Sequence, residues 1–138
     1  MRGPFRTRFS LALRALTLRL KLGLLLENNS IPELLNKLSH GPLLPASLDD
    51  VEEALAKADA WTAFLPFVPK TCLYRSLARY ALMNRAGHHV QFVMAIDPPK
   101  APRADLDGHA WVELNGKPVG EEVDERLIVT YAYPKAHP

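Results

Sequence analysis

The sequence predicts an α+β domain in which helices come first and antiparallel strands follow. Helix caps and the helical spacing of apolar side chains run from the first residues to Gly87. From His89 onward, apolar and polar residues alternate over short stretches, and Asn115-Gly116 is a strong hairpin signal. The 138 residues, of which 48% are apolar and 23% charged, suffice for one hydrophobic core. We therefore expect a single domain over 1–138, with a helical region at 1–69 and the strands within 70–138.

The charge and cysteine content exclude several classes of protein. Six basic residues and no acid lie in residues 1–26, but residues 27–138 hold eleven basic and fifteen acidic residues, so we expect no nucleic-acid partner. Cys72 is the single cysteine, which excludes an internal disulfide and a cysteine-rich zinc site and favours a reducing, cytoplasmic location. The sequence contains neither a Walker A motif nor a dinucleotide-binding loop. We expect no cofactor and no metal.

The first predicted helix, at about 9–26, is rich in leucine and is interrupted by Arg14, Arg19 and Lys21. These charges leave no apolar run of the roughly 18 to 20 residues that a membrane span needs, and no signal-peptide cleavage pattern follows. We therefore predict neither export nor a membrane span. The density of leucine predicts a broad buried face with the arginines exposed on the remainder. A partner-docking surface and a helix that lies on a membrane surface remain alternatives.

Two shorter helices are predicted next. Ser30, followed by Pro32 and Glu33, predicts the start of a helix near 31–39. Ser47 caps a second helix at 48–59, whose first turn is rich in Asp and Glu. The stretch 61–69 is apolar but contains two prolines, and we interpret it as an ordered connector packed under the next helix.

The next helix is chemically informative. Thr71 is a suitable N-cap for a helix over 72–86, which Gly87 closes as a left-handed residue. Cys72 thus lies in the first turn, where the helix dipole and unpaired N–H groups stabilise a thiolate, the reactive form of cysteine. A lone cysteine in a helix is more often a small buried apolar side chain. Its role therefore depends on the residues that follow.

Four strands are predicted after this helix, at 89–96, 109–114, about 117–123 and 127–133, with a charged, proline-rich loop at 97–108. Alternation along the second strand puts His109, Trp111 and Glu113 on one side of the sheet. A nucleophile at a helix start, a histidine on a strand and an acid one strand later is the arrangement that a cysteine acyl-transfer enzyme requires.

Three sequence motifs resemble a known family. They are Cys72-Leu-Tyr-Arg-Ser-Leu-Ala, Gly87 followed by an apolar strand, and His109-Ala-Trp-Val-Glu-Leu-Asn-Gly. In this order and spacing they closely resemble the transglutaminase-like proteins of lasso-peptide biosynthesis, the stand-alone leader peptidases usually called the B protein. The resemblance covers roughly 70–123 and implies a transglutaminase-like or papain-like cysteine-protease core at 70–138.

The resemblance implies that the protein hydrolyses one peptide bond in a lasso-peptide precursor and so separates the leader from the core peptide. The implied partners are the precursor peptide, a small protein that recognises its leader, and the ATP-dependent lasso cyclase. Two alternatives stay open. The same residues serve transglutaminase-type acyl transfer to an amine, and a protein with an inactive triad could act as a peptide-binding scaffold.

The expected site follows from the residues and the resemblance together. Cys72 attacks as a thiolate, and His109 accepts the thiol proton and returns it to the leaving amine. Backbone N–H groups at the helix start would bind the oxyanion. Trp111 either packs against the imidazole and excludes water from it, or is an ordinary aromatic residue of the sheet. Arg75 either binds substrate or orients an acid, or it forms a structural ion pair, which we favour.

The third catalytic residue departs from the family pattern. The family's acid is usually an Asp, and the matching position, twelve residues after His109, is Glu121. Glu122 and Asp124 lie close enough in sequence to compete for the role. We expect Glu121 to accept the imidazole N–H and to stabilise the imidazolium.

The form of the hairpin distinguishes between the two glutamates. If the Asn-Gly pair forms a two-residue type I′ loop, Leu114 pairs with Lys117 and His109 lies opposite Glu122. A three-residue loop with a glycine bulge moves the register by one residue, so that His109 lies opposite Glu121. We predict the bulged loop, because the spacing of the resembled family then places its acid on the same face as the histidine.

Overall fold

The computed structural model describes residues 5–41, 43–66, 71–97 and 107–134, in which four helices precede four strands. The strands form one antiparallel sheet in the order β3-β2-β1-β4, so the α+β prediction is confirmed. The elements are α1 (Phe5–Asn28), α2 (Ile31–Leu38), α3 (Leu48–Thr62), α4 (Cys72–Arg85), β1 (Val90–Asp97), β2 (Asp107–Leu114), β3 (Lys117–Pro118) and β4 (Ile128–Tyr133).

The predicted caps of α2 and α3 are confirmed. The hydroxyl of Ser30 accepts the backbone N–H of Glu33 at 3.3 Å, and that of Ser47 accepts the backbone N–H of Asp50 at 3.1 Å. Gly87 follows α4 with a φ of +95°, a conformation that glycine adopts without steric cost. The helix that carries Cys72 therefore ends where Gly87 was predicted to close it.

The predicted connector at 61–69 is wrong where the structure describes it. Helix α3 continues through Trp61 to Thr62, because the first proline, Pro66, lies beyond its end. Phe64 is 92% exposed, so its ring does not pack under α4, and Trp61 is also exposed at 45%. Residues 67–69 of this prediction, and most of the predicted loop at 97–108, lie outside the described residues.

The core lies between the helices and one face of the sheet. Helix α1 packs mainly on α3, and α4 packs on β1 and β2. The buried side chains that form this core include Leu11, Leu22, Val51, Leu77, Phe92 and Val112. Trp111 belongs to a second, smaller cluster with Val93 and Ala95, as the alternation along β1 and β2 requires. Among the described helices, none combines the length and the apolar character that crossing a bilayer demands.

The hairpin after β2 differs from our prediction. Leu114 pairs with Lys117, and both loop residues have positive φ, +54° for Asn115 and +80° for Gly116. These are the features of a two-residue type I′ loop, so the predicted three-residue bulged loop is wrong. Strand β3 is also much shorter than the predicted 117–123 and ends at Pro118, beyond which one backbone bond, from the N–H of Val119 to the oxygen of Val112 at 2.8 Å, still joins the chain to β2. Strand pairing therefore does not extend to Glu121 or Glu122.

Candidate active site

Cys72 is the first residue of α4 and is half-buried. Thr71 occupies the N-cap position with extended backbone angles, but its side chain makes no capping hydrogen bond. We expected a capping hydroxyl here, and that expectation is wrong. Because this hydroxyl does not cap the first turn of α4, it does not compete with a substrate for the N–H groups there.

His109 lies on β2, where it pairs with Ala95 of β1. Its ring lies 5.7 Å from the ring of Trp111, centroid to centroid, with 33° between the planes. Trp111 is buried and donates its indole N–H to Glu113 Oε2 at 2.8 Å. One face of the imidazole therefore rests against an aromatic ring that is itself held in place. Trp111 thus lies beside the imidazole and is also an ordinary aromatic of the sheet, since it packs in the small apolar cluster.

Among the carboxylates in the described residues, that of Glu121 lies within ion-pair distance of His109. Its Oε2 lies 3.6 Å from Nε2 of the imidazole, and about a third of each side chain is exposed, 33% for His109 and 32% for Glu121. This distance is within the range of an ion pair but is longer than the usual donor–acceptor distance of a hydrogen bond. Asp124, a competing acid, instead forms an ion pair with Arg126 at 2.8 Å. With Nε2 turned to Glu121, Nδ1 is the nitrogen left to exchange a proton with a thiol.

Gly120 and Arg79 explain how the chain brings Glu121 to this position. Gly120 has a φ of +79°, and a Cβ placed there would lie 2.7 Å from Nη2 of Arg79. The guanidinium is held by two bonds to Glu52 of α3, at 2.8 and 3.1 Å. The turn at Gly120 therefore rests directly on an arginine that joins α3 to α4. Sequence reasoning missed this contact.

A buried hydrogen bond fixes α4 relative to β2. The hydroxyl of Ser76 donates to the backbone oxygen of Ala110 at 2.8 Å. Ser76 lies one turn after Cys72, and Ala110 is the neighbour of His109 in sequence. The bond therefore connects the helix that carries the thiol with the strand that carries the imidazole.

Cys72 and Glu121 line the same cavity, whose volume is about 240 Å³. Through Glu121, the ion pair connects His109 to this cavity as well. Arg75 also lines it, and no carboxylate within the described residues forms an ion pair with that guanidinium, contrary to the structural ion pair that we favoured. The other lining residues are Arg19, Leu55, Asp59, Ser76, Ala78, Arg79 and Gly120. The structure thus places Cys72 and Glu121 on one cavity and pairs Glu121 with His109, which does not itself line the cavity.

Arg19 corrects a further expectation. We predicted that the arginines of the first helix are exposed, but Arg19 is only 2% exposed, and its Nε lies 3.2 Å from Oδ1 of Asp59. Burial lowers the pKa of Arg19, Asp59 raises it and the nearby Arg75 lowers it. The spacing from Leu11 through Ala15 to Arg19, four residues each, was a signal for this burial, because these positions share one helix face.

No group of three His, Cys, Asp or Glu side chains that could hold a metal occurs in the part of the chain that the structure describes. Cys72 and Glu121 at the cavity, with Glu121 paired to His109, are side chains of the types used in thiol chemistry.

Comparison with known families identifies the fold. The family model described as the transglutaminase-like superfamily matches residues 12–131, which include Cys72, His109 and Glu121. Searches of curated proteins and of solved structures gave no match. The superfamily generally comprises cysteine peptidases and acyltransferases, and the geometry of the cavity fits either role. Because the match covers most of the 138 residues, the chain belongs to the transglutaminase-like superfamily.

Proposed function

We propose that this protein is a cysteine peptidase that removes the leader from a lasso-peptide precursor. One observation carries the chemistry: Cys72 shares a cavity with Glu121, whose carboxylate forms an ion pair with His109. The lasso assignment is supported by the three motifs around Cys72, Gly87 and His109, in which this chain resembles the B proteins.

The proposed reaction begins with attack of the Cys72 thiolate on the carbonyl carbon at the leader–core junction. Charge develops on the carbonyl oxygen, and the N–H groups at the start of α4 lie where the helix dipole stabilises an anion. His109 accepts the thiol proton and passes it to the leaving amine, which departs as the amino terminus of the core peptide. Water then attacks the thioester, and His109 takes one proton from it, so that the leader leaves with a new carboxylate.

Glu121 supports this cycle through its contact with Nε2 of His109. The carboxylate fixes the ring with Nδ1 free for proton transfer and stabilises the imidazolium that forms in each half of the reaction. Trp111 excludes water from one face of the ring.

The proposed partners are the precursor peptide, the small protein that recognises its leader and the lasso cyclase that closes the released core. These partners carry out biosynthesis inside the cell, so we propose a cytoplasmic location. A chain with one cysteine and no internal disulfide is suited to that compartment.

Mass spectrometry of the products tests the proposal. The purified protein is incubated with the lasso precursor peptide encoded beside its gene and with the neighbouring leader-recognition protein. We expect two fragments whose masses add up to the precursor plus one water. A Cys72→Ala variant should leave the precursor intact, and an intact precursor with the unaltered protein as well would contradict the peptidase proposal.

Transglutaminase-type acyl transfer is the second candidate, because the superfamily also comprises acyltransferases. Adding a primary amine such as glycine amide to the same incubation separates the two. A peptidase releases the leader with a free carboxylate, whereas an acyltransferase yields the leader joined to the amine. Predominant formation of the conjugate would replace the peptidase proposal by the acyltransferase.

A further inference from the structure

Three arginines line the cavity beside Cys72, namely Arg19, Arg75 and Arg79, and the guanidinium of Arg19 is buried with unmade hydrogen bonds. Arg19 is 2% exposed, and within the described residues its Nη1 has no hydrogen-bond partner. Its Nε lies near Asp59 at 3.2 Å but does not form a hydrogen bond with it. A buried donor without an acceptor is costly, and the guanidinium that carries these donors belongs to a residue of the cavity wall.

The charges around the cavity leave a place for one anion. Arg79 is neutralised by its two bonds to Glu52, and Glu121 lies against His109. Arg19 is offset in part by Asp59, whose side chain is 40% exposed. Arg75 has no carboxylate partner in the described ranges, and it lies close enough to Arg19 to lower the pKa of that guanidinium. An anion between the two arginines would relieve their mutual repulsion.

We infer that Arg19 and Arg75 form a carboxylate-binding subsite beside Cys72, which takes an Asp or Glu side chain of the peptide substrate near the scissile bond. The planar guanidinium fork matches a carboxylate and can bind both of its oxygens. The cavity of about 240 Å³ has room for one such side chain. The inference rests on the proposed peptidase function for the nature of its substrate, but its cationic character can be measured separately.

Alkylation of Cys72 by two reagents provides that measurement. Iodoacetate and iodoacetamide both form a carbon–sulfur bond with the thiolate and release iodide, but only iodoacetate carries a carboxylate. We expect the ratio of the iodoacetate rate to the iodoacetamide rate to exceed the ratio for free cysteine by about tenfold, as one favourable charge contact would give. Arg75→Gln should lower the ratio towards that of free cysteine, and so should Arg19→Met, in which Met replaces the buried stem at similar length.

Lys57→Met is the matched control. It removes one positive charge from α3, where Lys57 is 43% exposed and does not line the cavity, so the ratio should not change. Circular dichroism checks that each variant is folded. If Arg19→Met fails to fold, the exposed Arg75 carries the test alone, because Arg75→Gln disturbs no buried contact.

The outcomes separate this inference from the proposed function. A reactive Cys72 whose rate ratio equals that of free cysteine, or does not respond to Arg75→Gln, would overturn the subsite and leave the peptidase proposal standing. If Cys72 is inert to both reagents, its assignment as the nucleophile is wrong. A titration with succinate then tests whether the subsite binds a carboxylate. Saturable NMR shifts of arginine Nε–Hε signals that are lost in Arg75→Gln would support it, and no shifts in the unaltered protein would overturn it.

Discussion

Oε2 of Glu121 lies 3.6 Å from Nε2 of His109, although Glu121 is three residues beyond the end of β3. The type I′ register would have placed Glu122 opposite the histidine in a longer ladder. The ladder ends at Pro118, however, and the chain then turns at Gly120 over the guanidinium of Arg79. The position of Glu121 is therefore set by a turn resting on α4, which follows directly after the backbone bond from Val119 to Val112 of β2.

Glu121→Gln should lower turnover by orders of magnitude, because an amide cannot stabilise the imidazolium as a carboxylate does. Glu122→Gln is the control, since it changes the neighbouring acid in the same way and should leave turnover within a few-fold. Steady-state kinetics on the precursor peptide measure both. The reverse ranking would assign the role to Glu122.

Cys72→Ala should abolish cleavage while the protein stays folded. Alanine has the best helix propensity, and loss of one half-buried sulfur atom leaves little cavity. His109→Ala should also abolish cleavage. Product masses measure activity and circular dichroism measures the fold, and near-normal turnover by either folded variant would eliminate the catalytic roles.

Gly120→Ala should destabilise the protein and slow cleavage. Its Cβ would lie 2.7 Å from Nη2 of Arg79, so either the guanidinium leaves Glu52 or the turn that carries Glu121 moves. Gly116→Ala is the matched control, because Gly116 has nearly the same φ, +80°, and open space around its Cα. Urea unfolding should give a free-energy loss about 1 kcal/mol larger for Gly120→Ala, and turnover should fall in that variant alone. Equal losses would contradict the role of Arg79.

Thr71→Ala should cost less than about 0.5 kcal/mol of unfolding free energy, because the side chain makes no capping hydrogen bond. A Thr71 that capped the helix, as its sequence position suggested, would lose about 1 kcal/mol on this substitution. Ser47→Ala is the comparison, since the Ser47 hydroxyl caps Asp50 at 3.1 Å and its removal should cost about 1 kcal/mol. Similar losses in the two variants would contradict the observed difference between the caps.

Ser76→Ala should lower kcat more than it raises KM, because it removes the bond that fixes α4 against β2. The oxygen of Ala110 loses its buried donor, which should cost about 1 to 3 kcal/mol of stability. Asn84→Ala is the control. It removes a side-chain bond within α4, to the oxygen of Tyr80, far along the helix from Cys72. An unchanged kcat in Ser76→Ala would restrict Ser76 to a structural role.

The parts of the fold that depend on local chemistry could be predicted from the sequence. Ser30 and Ser47 start helices because their hydroxyls reach backbone N–H groups three residues on, within one segment. The hairpin form could not be predicted, because Asn-Gly suits both a type I′ loop and a glycine bulge. The burial of Arg19 could not be predicted either. It depends on how α1 packs on α3, and the charge of Arg19 favoured an exposed position.

Part of the candidate site could also be predicted from the sequence. The spacing of the resembled family, twelve residues after His109, selected Glu121, which lies beside His109, whereas the register argument offered for it was wrong. The contact of Gly120 with Arg79 and the bond from Ser76 to Ala110 join residues more than 30 positions apart. The periodicity of apolar residues in the sequence does not predict such pairs, because they form only when the helices and the sheet pack together.

The turn at Gly120 also determines where this chain tolerates changes of length. The backbone N–H of Val119 is bound to the oxygen of Val112 at 2.8 Å, and Gly120 follows on the face of Arg79. One residue inserted between Pro118 and Gly120 would therefore rotate Glu121 away from the imidazole. An insertion after Asp124 alters none of these contacts, keeps Val123 packed against the cluster of Trp111, and lengthens the exposed path towards β4. Natural or engineered insertions that preserve the ion pair are thus expected on the far side of Asp124.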